Sequence, residues 1–142
     1  MQILDVLRSK GNDVVTVTPQ TPVRELVSLL ADKNIGAVVV STAEQLVAGI
    51  VSERDVVRKL ASGAGVLDQT VGDIMTVDVV SVEPSESVHE LARLMTERRI
   101  RHVPVVSDGV LSGIVSIGDV VKSRIDELTF ERDQLESYVS KP

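Results

Sequence analysis

Residues 100–121 read IRHVPVVSDGVLSGIVSIGDVV, and an earlier copy that begins at Ile35 reads IGAVVVSTAEQLVAGIVSERDVV. Each runs from an isoleucine through two variable positions into an apolar strand, a polar turn, a second strand Gly-Ile-Val-Ser, then two residues, an aspartate and Val-Val. An order this long does not arise by chance, so the chain contains one unit twice. In each copy Ser-x-x-Asp falls where period-two patterning gives way to helical patterning. That places Ser52 with Asp55, and Ser116 with Asp119, at a helix N-terminus. Such a terminus presents unpaired N–H groups and partial positive charge.

Upstream of each copy the same elements recur. Val14–Val17 reads as a strand, followed by a loop through Pro19 and a helix behind Pro22 with Thr21 as its cap; Val23, Leu26, Leu29 and Leu30 supply its apolar face and Asn34 its stop. Val79–Val82, Pro84 and the run Val88, Leu91, Met95 repeat this pattern sixty-five positions on, with Ser87 and Glu90 as a capping box. After the hairpin the offset is sixty-four, one residue having been lost in a turn. The pattern predicts a mixed α/β (α+β) fold: two β-α-β-β-α units packed face to face around a pseudo-twofold axis, plus a C-terminal helix. We divide the chain into a first repeat with a short N-terminal helix (1–61), a linker (62–70), a second repeat (71–124) and a C-terminal helix or tail (125–142). In the tail, Ile125, Leu128, Leu135 and Val139 keep heptad spacing, with Arg132 in the remaining slot.

Composition narrows the function. A net charge of -6, one Phe and one Tyr oppose a general nucleic-acid or anionic-membrane binder, which needs clustered cations and stacking surfaces. No apolar run approaches the roughly 20 residues of a membrane span. The absence of cysteine removes disulfides, thiolate metal sites and cysteine nucleophiles, and two histidines make no metal site by spacing. No P-loop, Gly-x-Ser-x-Gly elbow or nucleophile–base pair is present. The expectation is a cytoplasmic protein with no catalytic residues and no obligate metal or cofactor.

The repeated phrases Val-Val-Thr-Val-Thr-Pro and Val-Val-Ser-Val-Glu-Pro, Ile-Gly-Ala-Val-Val-Val and Ile-Arg-His-Val-Pro-Val, and Gly-Ile-Val-Ser-x-x-Asp twice, resemble the CBS domain, named for cystathionine beta-synthase. Two such domains resemble a Bateman module. Ser-Glu-Arg-Asp, Arg-Ile-Arg-His-Val-Pro-Val and Ser-Ile-Gly-Asp-Val-Val-Lys are similar to the small stand-alone CBS-pair proteins of bacteria and plant organelles. The resemblance covers nearly the whole chain. It implies a regulatory module that binds an adenosine ligand (AMP, ADP, ATP, NAD or S-adenosylmethionine) in clefts between the repeats and signals to a regulated partner protein. It also implies a homodimer forming a flat disc through the helices.

Carried over residue by residue, the resemblance pairs Asp55, Ser52 and Arg54 with Arg101 and His102 in one cleft. It pairs Asp119 and Ser116 with Thr18, Val23, Gly36 and Ala37 in the other. The aspartates are expected to accept from both ribose hydroxyls, and helix amides and arginine to meet phosphate. Glu83, where the first copy has Thr18, departs from the small hydroxyl that suits a phosphate. Beside this stand blander readings: Ser-x-x-Asp as a plain helix cap, Arg98 as a solvated helix end, His102 as a structural histidine and His89 as a surface residue. Two other functions stay open, a structural dimerisation unit and a nucleotide-processing enzyme. The charge on Arg101, with Gly36 at the matching position, predicts unequal clefts, phosphate binding more strongly beside Asp55.

Overall fold

The computed structural model describes residues 1–11 and 13–140, with only the backbone of Ala64. Along the chain lie α1 (Ile3–Lys10), β1 (Thr16–Val17), α2 (Val23–Lys33), β2 (Ala37–Val40), β3 (Gly49–Ser52), α3 (Glu53–Leu60), a 3-10 helix (Ala64–Asp68), α4 (Val71–Ile74), α5 (Val88–Arg98), β4 (His102–Ser107), β5 (Val110–Ser116) and α6 (Ile117–Val139). The first repeat holds a three-stranded sheet in the order β1-β2-β3, with β1 parallel to β2 and β2 antiparallel to β3; the second holds the hairpin β4-β5.

Several elements differ from their sequence expectation for identifiable reasons. The first strand is cut to Thr16–Val17, and its counterpart Val79–Val82 to a single bridge between Val82 and Val105. Thr16 pairs with Val39, whose equivalent in the second repeat is Pro104. A proline has no N–H to give, so the second ladder cannot reach back to Ser81. Thr21 does not cap α2: Pro22 stands at the N-cap, and the Thr21 hydroxyl instead accepts from the Thr18 N–H at 3.2 Å. Ser87 accepts from the Glu90 N–H at 3.0 Å, but no reciprocal Glu90 bond completes the box. The second strand of the first hairpin is Gly49–Ser52, the Gly-Ile-Val-Ser of the repeat. Asn34 ends α2 in the left-handed conformation, as expected, and Arg99 ends α5 the same way. Of the tail 125–142, residues 141–142 lie outside the described residues.

The two repeats exchange their leading helices. One core joins Val23, Leu26, Val38, Val51 and Val56 of the first repeat to Val66, Val71 and Ile74 from beyond it. The other joins Leu91, Met95, Val103 and Val115 of the second repeat to Ile3, Val6 and Leu7 of α1. The exchange is stitched by equivalent backbone bonds: Ile3 N–H to Glu86 O and Val71 N–H to Thr21 O, Leu4 N–H to Pro84 O and Gly72 N–H to Pro19 O. Gln2 with Asp5, and Thr70 with Asp73, form matching capping boxes. In the segment 62–70, Val66 is buried in the first core. Each half therefore depends on chain from the other side of the sequence.

Candidate functional site

Ser52 ends β3 in extended conformation and opens α3, which turns its hydroxyl and the Asp55 carboxylate toward each other. The Asp55 N–H donates to Ser52 Oγ at 3.3 Å, while Asp55 Oδ2 accepts from the Ser52 N–H at 2.8 Å and its hydroxyl at 3.1 Å. Oδ1 has no hydrogen-bond partner among the described residues. The Glu53 N–H donates to Gly36 O at 2.9 Å. Two of the first three amides of α3 are thus satisfied within the chain. The expected phosphate role of the helix amides shrinks to Arg54.

A cavity of about 240 Å³ opens in front of this corner. It brings together all five residues assigned to the first cleft, Ser52, Arg54, Asp55, Arg101 and His102. It also holds Gly36 and Ala37, which the sequence reading had assigned to the Asp119 cleft. The reason is register: Ala37 lies directly opposite Ser52 in the β2–β3 ladder, so the residues after Ile35 share a corner with the Ser-x-x-Asp of their own repeat. The second repeat contributes the turn from Arg99 to His102. His102 packs closely over Gly36, its ring 3.4 Å from where a β carbon on Gly36 would stand.

Electrostatically the cavity is a mixed site. Arg54, Arg58, Arg99 and Arg101 line it, and none of them pairs with a carboxylate among the described residues. Glu53, Asp55 and Asp78 bring the opposing charge. Burial holds the His102 imidazole below its ordinary pKa; Glu53 and Asp119 pull the other way, and Lys10 and Arg101 reinforce the depression. Val79 and Val80 form the remaining wall, and since they join no ladder, their N–H and C=O groups stay unpaired among the described residues.

The second Ser-x-x-Asp is built alike but differently engaged. The Asp119 N–H donates to Ser116 Oγ at 3.2 Å and its Oδ2 accepts from the Ser116 N–H at 2.8 Å. The same Oδ2 receives the Lys10 ammonium at 2.6 Å. Burial opposes ionisation of Asp119, but Lys10 and Ser116 outweigh it and hold the carboxyl below the usual carboxylate range. This cleft therefore has a cation of its own, Lys10, which the comparison of Arg101 with Gly36 did not foresee. Val23 is fully buried in the first core, which removes its side chain from any ligand. Thr18 spends its N–H and hydroxyl on Thr21, and Glu83 likewise gives its N–H to the Glu86 carboxylate at 2.6 Å.

Lys10, Arg58 and Asp78 were missed because they lie outside the quoted phrases, and Arg99, which opens Arg-Ile-Arg-His-Val-Pro-Val, was given no place in a cleft. The one shared signal is the aspartate three residues after each N-cap, Asp5 and Asp73, which aligns α1 with α4 and shows Lys10 running past the end of its partner. Among the described residues no cluster of three or more His, Cys, Asp or Glu could hold a metal ion, and no helix is long and apolar enough to cross a membrane.

Residues 5–62 and 71–126 each match the family model "CBS domain". The chain is 38% identical over 146 residues to the mitochondrial CBS domain-containing protein CBSX3 of Arabidopsis thaliana, covering 96% of this chain and 71% of that protein. A crystal structure of a CBS-domain containing protein from Agrobacterium tumefaciens superposes with a TM-score of 0.84 at 46% identity, covering 87% of this chain and 99% of that one. The CBS domain pair of protein MJ0100, solved with 5′-methylthioadenosine and S-adenosyl-L-methionine, shares the fold at TM-score 0.79 and 24% identity, over 89% of this chain and 98% of that one. The chain belongs to the CBS-domain family, as a tandem pair of CBS domains.

Proposed function

We propose that this CBS pair is a regulatory module that binds an adenosine nucleotide, AMP, ADP, ATP or NAD, in the cavity beside Asp55. In this reading it reports the nucleotide pool to a partner protein rather than transforming the nucleotide. The observation that carries the reading is one cavity holding a carboxylate with a free oxygen, four arginines without carboxylate partners, and unpaired backbone at Val79 and Val80. Each suits one part of a nucleotide. A vicinal diol offers two donors to Asp55, the guanidinium groups meet phosphate, and main-chain groups read the purine edge without aromatic residues. The adenosine ligands named for the MJ0100 pair support the class of ligand. A regulatory role fits a site whose one hydroxyl–carboxylate contact, Ser52 to Asp55, is engaged in the capping box of α3.

Calorimetry with ATP, AMP and adenosine tests the assignment. Arg101→Ala is expected to weaken ATP and AMP about ten- to a hundredfold, the worth of one charge-assisted contact, while sparing adenosine. Asp55→Ala should weaken all three, because the ribose is common to them. Equal binding of GMP and AMP, or an Arg101→Ala protein with unchanged ATP affinity, refutes the reading. We also propose that the chain is a homodimer, supported by the exposed apolar stripe of α6.

A further inference from the structure

The Asp55 and Asp119 carboxylates occupy equivalent corners of the two repeats, each accepting from its own Ser N–H at 2.8 Å. Their surroundings part at the leading helices. After α4 the chain leaves the helix at Met75, and Thr76 pairs with Ile50, its N–H donating at 2.9 Å and its carbonyl accepting at 3.0 Å. On the other side α1 continues to Lys10. No strand-like pairing forms there; the carbonyl of Ile114, the residue equivalent to Ile50, accepts from the Lys10 ammonium at 2.8 Å. The same ammonium holds Asp119 at 2.6 Å. One extra turn of helix thus delivers a cation to the aspartate of the second repeat, whereas Asp55 has no ion-pair partner among the described residues.

We propose that Lys10 acts as an internal occupant of the Asp119 cleft and restricts the chain to one nucleotide, held at Asp55. This rests on the nucleotide reading given above. A neutral diol competing for Asp119 must displace an ammonium that is bonded to both a carboxylate and a carbonyl. Charge-assisted bonds between two ionised groups are stronger than those a hydroxyl offers to the same oxygen. The pair is also partly shielded, with the Lys10 and Asp119 side chains 34% and 21% exposed, so separating them leaves two under-compensated charges. The inequality of the clefts then comes from occupation of the second one, in addition to the arginines of the first.

Titration calorimetry with ATP and with adenosine at neutral pH reads this as stoichiometry. The wild-type chain is expected to bind one equivalent. Lys10→Ala should bind two, the added site gaining at least about tenfold over the wild-type cleft, the scale of one lost charge-assisted contact. The double variant Lys10→Ala with Asp119→Ala should return to one. Lys10→Gln, which keeps a donor for Ile114 O but not the charge, guards against a folding defect in the alanine variant and should also reach two. Two equivalents for wild type, or one for both Lys10 variants with native melting curves, overturns the internal occupant and leaves the Asp55 site standing. Two for wild type falling to one in Lys10→Ala would make Lys10 a ligand contact instead. No binding by any variant removes the nucleotide reading, and this inference with it.

Discussion

His102 shows how one side chain ties the two repeats together. It opens β4 opposite Ser116, packs its ring over Gly36 of the other repeat, and has its pKa lowered chiefly by burial. Glu53 and Asp119 face it as acids and Lys10 and Arg101 as cations. Because its folded-state pKa lies below the ordinary value near 6.5, the unfolded chain takes up the proton first as pH falls. The stability that neutral His102 contributes is therefore complete above about pH 6.5 and is lost on acidification from there down to the folded-state pKa. Melting temperature should drop as pH falls below about 6.5, and His102→Gln should flatten that drop. An equally steep profile in the variant would place the titrating group elsewhere. The sequence showed His102 beside Arg101 but left its role open, since the ring's partner, Gly36, is distant in the chain and visible only once the repeats are packed.

The leading helices explain which parts of the fold could be read in advance. The hairpins, the two long helices and both Ser-x-x-Asp corners were legible, because apolar period, glycine and capping letters all act within a few residues. The exchange of α1 and α4 was not legible. Burial of Ile3 or Val71 demands an apolar face somewhere, and amphipathic letters do not say in which core. The exchange nonetheless leaves a testable mark at two equivalent glycines. Gly49 of β3 lies against the chain leaving α4, and an added β carbon would stand 2.8 Å from both Met75 Sδ and the Thr76 carbonyl oxygen. Gly113 of β5 lies against α1, where the three atoms nearest the same addition all belong to the Leu7 side chain, closest at 2.6 Å. A side-chain end can rotate away; the Thr76 carbonyl, which accepts from the Ile50 N–H, cannot. Gly49→Ala should cost about 1 to 3 kcal/mol by chemical denaturation, the usual range for overpacking, and Gly113→Ala distinctly less. The reverse order would mean that α1, not the chain after α4, is the more rigid partner.

The surface left over by this packing is concentrated on α6. Its first turns rest on α5, β5 and α1, but Ile125, Leu128, Leu135 and Val139 are 56%, 48%, 66% and 79% exposed along one stripe. A lone helix projecting into water is marginal, and an apolar stripe on it, interrupted at Arg132, calls for a partner. A second copy fits best with its helix reversed. In a parallel pair Arg132 would face its own symmetry mate and Glu131 would face Glu136, two repulsive contacts. In an antiparallel pair Arg132 lies against Leu128 of the second copy, Ile125 against its Leu135, and Lys122 comes near its Glu136. Light scattering should show a dimer that weakens toward monomer when the chain is truncated after Lys122. Since the sequence has no cysteine, introduced ones report direction cleanly. Mixing Ile125→Cys with Leu135→Cys should give an oxidised mixed dimer, whereas Leu135→Cys alone should remain unlinked. Efficient self-linking of Leu135→Cys would reverse the direction of the pair. A truncated chain that stays fully dimeric would move the interface from α6 to the partly exposed faces of α2 and α3, where Val27, Val57 and Leu60 lie.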